Sequence, residues 1–170
     1  FKSLYTIYPI QASPRNGKNA SGAKKLLERV DKIPKDIRNY YILFQAIIAK
    51  DENRQDDLEK LSNQALKYSL RDEDYYLSSY LYKLKASNSE NKGDIDNAIK
   101  YFKKALEIDR IVNNNKQTLY TLEALGDLYT KLGDKDNAFY YYYQGWELLS
   151  SFGDYKNSQK FLEKALSTLN

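Results

Sequence analysis

Two stretches, GDIDNAIKYFKKALEI at 93–108 and GDKDNAFYYYYQGWEL at 133–148, align without a gap at a separation of 40 residues. Self-similarity at a fixed period means that one supersecondary unit is copied along the chain, each copy burying its apolar face against the next. The same step backwards reaches NRQDDLEKLSNQALKY at 53–68, which puts Leu58, Ala98 and Ala138 in one column and Ala65, Ala105 and Gly145 in another. A further copy, GDYKNSQKFLEKALST at 153–168, follows after a step of only 20. Small residues seven apart with a large side chain between them suit two closely crossing helices, because the small one admits the neighbouring backbone while the large one fills the groove.

The copied unit is helical. Proline occurs only at Pro9, Pro14 and Pro34, and between Lys50 and Gly93 there is no Ile, Val or Thr, so both the helix breakers and the β-branched residues that strands favour are missing there. Apolar residues at helical spacing predict about eight helices, the first through Ala23, Leu26, Leu27 and Val30 and the last through Tyr155, Leu162, Ala165 and Leu169. Gly133 and Gly153 are placed as C-terminal caps, Asp94 and Asp134 as N-caps, and Pro34 just beyond the first helix. The connections are short, so neighbouring helices are expected to run antiparallel. YYILFQAIIA at 40–49 has the length of a buried core helix, well short of the roughly 20 apolar residues that span a bilayer. Residues 1–20 read as a partly irregular leader. Residues 21–170 read as a single repeat domain, with units at about 35–70, 73–111 and 116–151 and a final helix at 155–169.

Composition narrows the chemistry. Histidine and cysteine are absent, which removes imidazole bases, thiolate nucleophiles, disulfides and nitrogen–sulfur metal sites. GDIDNA and GDKDNA resemble calcium loops only superficially, since Ala105 and Gly145 stand where such a loop needs its twelfth-position Glu. Capping of helix N-termini accounts for those aspartates, and neither a metal nor a cofactor is expected. The 27 basic and 23 acidic residues are interleaved, leaving no electrostatic footprint for nucleic acid or anionic lipid. The densest basic stretch, Lys24, Lys25, Arg29, Lys32, Lys35 and Arg38, also holds Glu28, Asp31 and Asp36 and reads as a solvated helix face. The chain opens on Phe1, which suggests a processed or excised piece; a cytoplasmic setting is favoured, with export or a lipid anchor left open.

TLEALGDLYTKLGDKDNAFYYYYQG at 121–145 resembles a tetratricopeptide repeat unit: Leu122, Leu125, Gly126, Tyr129, Gly133, Ala138, Tyr142 and Gly145 fall in order on that family's signature columns. Gly145 stands where the family usually has Ala. The preceding unit matches through Gly93, Ala98, Phe102 and Ala105, and its first helix aligns as Leu77, Ser78 and Leu81 when extra residues are placed in a loop at 86–92. The resemblance covers about 75–150, and a period of 40 rather than 34 resembles the longer units of some bacterial regulators and adaptors. It implies an all-α, right-handed superhelical array of antiparallel helix pairs.

The family's groove positions, carried across column by column, are Tyr75, Ser79, Tyr82 and Lys83 in the earlier unit and Tyr120, Glu123, Asp127, Thr130 and Lys131 in the later one. Tyr75 and Tyr82 fit packing between helices equally well. The acids Glu123 and Asp127 stand where some family members clamp a ligand carboxylate with Lys and Asn, so that ligand is disfavoured. The implied function is a non-catalytic scaffold holding a protein or peptide, with the peptide-sensing domain of a bacterial regulator as the alternative. Self-association through the terminal helix, whose apolar face is broad, would make the protein a homodimer. The ring-rich FYYYYQGW at 139–146 resolves into one apolar arc with Tyr140 on the polar side and Tyr143 at the border, which assigns most of its rings to packing.

Overall fold

The computed structural model describes residues 38–169, which form seven helices and no strand among them: α1 Arg38–Asp51, α2 Gln55–Arg71, α3 Tyr75–Asn91, α4 Ile95–Ile111, α5 Asn115–Leu132, α6 Lys135–Ser151 and α7 Tyr155–Ser167. The expected helix through Ala23 and Val30 and the leader lie outside the described residues. No described helix is long and apolar enough to cross a membrane.

One turn is used six times. Asn53, Glu73, Gly93, Asn113, Gly133 and Gly153 follow one another at 20-residue steps, and all have positive φ, between 52° at Asn113 and 77° at Gly93. In each turn the next residue sends its N–H back to the carbonyl five positions earlier: Arg54 to Ala49, Asp74 to Ser69, Asp94 to Ser89, Asn114 to Asp109, Asp134 to Tyr129 and Asp154 to Leu149. This is the Schellman closure, which satisfies carbonyls that a helix end would otherwise leave open.

That same next residue starts the following helix. The side chains of Asp94, Asn114, Asp134 and Asp154 accept from the N–H of Asn97, Gln117, Asn137 and Asn157, and Asp74 accepts likewise from Leu77 at 3.0 Å. In three turns the reciprocal residue is asparagine, and Asn97, Asn137 and Asn157 each donate through Nδ2 to the other carboxylate oxygen of the capping Asp at 2.7 Å. The motif G-D-x-x-N is therefore a complete stop-and-start signal. It also explains both sequence periods: one helix plus one turn takes 20 residues, and one helix pair takes 40.

The alternation corrects one alignment. Residues 86–91 are helix rather than loop, since α3 runs without interruption to Asn91. The unbroken 40-residue step then matches Leu122 with Tyr82, Gly126 with Ala86 and Tyr129 with Ser89.

The chain divides into two compact units after Ser87, within α3. In the first, α1 is buried along most of its length, and Ile42, Leu43, Phe44, Ile47 and Ile48 pack with Leu58 and Ala65 of α2 and with Leu77, Leu81 and Leu84 of α3. Ser78 donates to Ser69 at 2.9 Å, closing a buried hydroxyl pair between α3 and α2. The second unit holds the end of α3 and all of α4 to α7. Its fully buried residues include Ala98, Phe102 and Ala105 of α4, Leu122, Leu125 and Leu128 of α5, Ala138 of α6 and Ala165 of α7.

Two glycines bring the helices of the second unit together. A Cβ added at Gly126 of α5 would lie 2.5 Å from the Tyr142 ring of α6, and one added at Gly145 of α6 would run into the Phe161 ring of α7. Each glycine is the recess that a ring fills.

Candidate interaction face on α5

Helix α5 carries Tyr120, Glu123, Asp127, Thr130 and Lys131, spaced so that they follow one side of the helix. The structure gives each of them a defined neighbour. Lys164 of α7 places its ammonium 2.7 Å from Glu123 and 3.1 Å from Asp127, and 5.3 Å from the centre of the Tyr142 ring. Tyr142 donates its hydroxyl to Asp127 at 2.8 Å. Thr130 donates back to the Gly126 carbonyl at 2.9 Å, with its hydroxyl 3.4 Å from that of Tyr142. Five side chains from three helices thus share one hydrogen-bonded patch whose formal charge is one negative: two carboxylates against one ammonium.

Electrostatics follow from partial exposure. Burial pulls the Lys164 ammonium down, but its hydrogen bonds to Glu123 and Asp127 outweigh that effect and hold it above the usual lysine range. Burial, the largest influence on Tyr142, pushes its phenol up. The carboxylates and the ammonium are still roughly 30 to 45% exposed, so the pairs are screened and contribute little to folding. They do fix where the charges stand.

Further along α5, Lys131 pairs with Glu90 near the end of α3 at 2.5 Å. The two pairs span the same separation along the chain, 41 residues. Alternate helices in this unit are therefore joined side to side by ion pairs in a common register. Tyr120 is half-buried, its ring edge-on to Phe102 at 6.4 Å, and its hydroxyl is enclosed without a hydrogen-bond partner among the described residues.

Of the four earlier positions, Tyr75 is exposed, whereas Ser79, Tyr82 and Lys83 of α3 are buried. The register found above supplies the reason for one of them: Tyr82 falls 40 residues before Leu122, on a column that faces the interior. An open recess of about 530 Å³ lies elsewhere, where Arg110 of α4 donates to Gln144 of α6, and none of the nine expected positions lines it.

Residues 76–151 match the family model described as tetratricopeptide repeat. This stretch is tetratricopeptide repeat. It takes in α3 almost whole together with α4, α5 and α6, so α5 and α6 form its last complete tetratricopeptide pair, and α7 follows as a further helix in the same 20-residue step. Among solved structures, the crystal structure of BtubC (BKLC) from P. vanneervenii superposes with a TM-score of 0.61 at 15% identity, over 87% of this chain and 70% of that one. At that identity the likeness is one of fold. No curated protein matches the sequence.

Lys164 escaped the sequence reading. The groove positions expected from sequence lie within the two matched tetratricopeptide units, and the motif of α7, GDYKNS, copies GDKDNA and so aligns α7 with the second helix of a pair. The motif marks three of the six turns, those before α4, α6 and α7, so it does not tell the second helix of a pair from a first one. Counting helices would have found the residue: α7 follows a second helix and so takes the place of a first one, side by side with α5.

The tyrosine-rich stretch behaves largely as its periodicity predicts. Ala138, Tyr141, Tyr142, Gly145 and Leu149 are buried and Tyr140 is exposed. Phe139, Tyr143 and Trp146 form a half-buried row, with ring centres 5.6 and 4.9 Å apart. Tyr141 stacks on Tyr129 of α5 at 5.5 Å, and Lys103 of α4 lies over the Tyr129 ring at 5.5 Å, so those rings tie three helices together.

Proposed function

We propose that the second unit is a non-catalytic binding module that holds an extended segment of a partner protein along α5, against Tyr120, Glu123, Asp127, Thr130 and Lys131, with Lys164 at its border. Tetratricopeptide repeats generally mediate protein–protein interaction, and the observation that carries the finer reading is the half-exposed patch of Glu123, Asp127 and Lys164. Polar groups already held in place by one another lose little freedom when a ligand binds, which lowers the entropic cost of recognition. The patch is negative by one charge, so it favours a segment presenting Lys or Arg there and opposes a terminal carboxylate. Tyr120 supplies a ring held in place by Phe102, offering contact area at small cost in rotamer freedom.

The test is selection of binders from a displayed random-peptide library, with affinities measured for the winners. Peptides enriched in Lys or Arg, bound at least tenfold more weakly by Asp127→Lys and by Tyr120→Ala while helicity stays unchanged, are the expected outcome. Winners that end in an acidic carboxyl terminus, or that ignore both substitutions, would remove the reading.

A further inference from the structure

The open recess of about 530 Å³ lies wholly within the second unit and shares no residue with the patch around Asp127. Its size is that of a small-ligand site. Arg110 lines it from the end of α4, Thr118 and Leu122 from α5, and Gln144, Glu147 and Leu148 from α6. Thr118 is only 5% exposed. The other threonines of α5 turn their hydroxyls back on the helix, Thr121 to the Gln117 carbonyl and Thr130 to that of Gly126, both at 2.9 Å. The Thr118 hydroxyl makes no hydrogen bond among the described residues, so it is short of a partner that a ligand atom in the recess can supply. Charge supplies a second, independent observation. Arg110 and Glu147 line the same recess from two helices, and neither belongs to an ion pair among the described residues. Gln144, one turn before Glu147 on α6, accepts from one Nη of Arg110 and leaves the rest of that guanidinium's N–H donors open. The recess thus offers one charge of each sign, with Leu122 and Leu148 as its apolar wall.

We propose that the recess binds a free α-amino acid with an aliphatic side chain. The carboxylate accepts from Arg110 and from the Thr118 hydroxyl, the ammonium donates to Glu147, and the side chain lies against Leu122 and Leu148. Thr118 stands in the first turn of α5, whose positive end favours the carboxylate there. A simple anion would meet Glu147 and a simple cation would meet Arg110, whereas a zwitterion is complementary to both. This site is separate from the α5 patch and does not rest on the peptide-binding reading.

Leucine titrated into the nitrogen-15-labelled 170-residue chain, up to millimolar concentration, should give saturable shifts of the Thr118 amide and the Gln144 side-chain amide in nuclear magnetic resonance spectra. N-acetylleucine and leucine methyl ester each lack one of the two charges and should bind about tenfold more weakly. Leucine itself should bind about tenfold more weakly to Arg110→Gln, to Glu147→Gln and to Thr118→Val. Arg110 and Glu147 are exposed, so replacing them leaves the core intact and keeps the test open even if Thr118→Val disturbs the fold. No saturable shift with leucine, shifts confined to the α5 patch, either derivative binding as tightly as leucine, or unchanged affinity in Arg110→Gln and Glu147→Gln would each overturn the proposal.

Discussion

At Gly145 two effects oppose each other, and their sizes decide which wins. Alanine is the better helix former by about 1 kcal/mol, and the family's usual residue in this column is alanine. Against that, the new methyl group would enter the Phe161 ring, and overpacking of a core contact costs about 1 to 3 kcal/mol. A ring wedged between helices cannot swing aside as the end of a long chain can, so Gly145→Ala should lower the midpoint of thermal unfolding, and Phe161→Leu should relieve part of the loss in the double variant. A rise in the midpoint would show that the ring yields. Glu73 makes the opposite case. It holds φ at 55° with a side chain that gains nothing from the left-handed region, where a non-glycine residue costs about 1 to 2 kcal/mol. Glu73→Gly should therefore stabilise the chain by about 1 kcal/mol in denaturant titration, whereas Gly133→Ala, which starts from φ 73°, should destabilise it by a similar amount.

The caps couple the elements to pH. Side-chain hydrogen bonds from Asn97, Asn137 and Asn157, with the backbone bonds second, hold the carboxyls of Asp94, Asp134 and Asp154 below the usual carboxylate range. A folded-state value below the unfolded one of about 3.9 means that this stability is present above that pH and is lost as the pH falls through the folded value. Thermal unfolding followed between pH 6 and 2 should show the midpoint falling below about pH 4, and replacing the three aspartates together by asparagine should flatten that part of the curve. An unchanged curve would mean that the caps play no part in acid unfolding. The same caps mark how far the elements were legible. Where turn and cap read Gly-Asp, at 93–94, 133–134 and 153–154, the boundaries could be placed from sequence. Where Asn53, Glu73 and Asn113 take the left-handed position instead, the signal is local backbone geometry that no composition rule flags, and so a 20-residue step looked like a 40-residue one. From that come the misplaced loop at 86–92 and the register that offers Ser79 and Tyr82, both buried on α3, as groove positions. Asp127 and Glu123 were legible because they lie within the best-matched unit. Lys164 was not, because its partners are 37 and 41 residues away and only the stacking of alternate helices brings them together.

At the scale of the whole molecule, one turn chemistry is repeated at 20-residue steps along the described chain. In the second unit this yields the two ion-paired seams, α3 to α5 through Glu90 and Lys131, and α5 to α7 through Glu123, Asp127 and Lys164. A peptide laid along α5 would cross both, whereas Tyr140, exposed on α6, would stay clear of it. Photo-cross-linking tests this most directly: a benzoylphenylalanine placed at Tyr120, at Lys131 or at Tyr140 is irradiated with a selected peptide at saturation. The account predicts covalent capture from positions 120 and 131 and none from 140. Capture from 140 alone would contradict it.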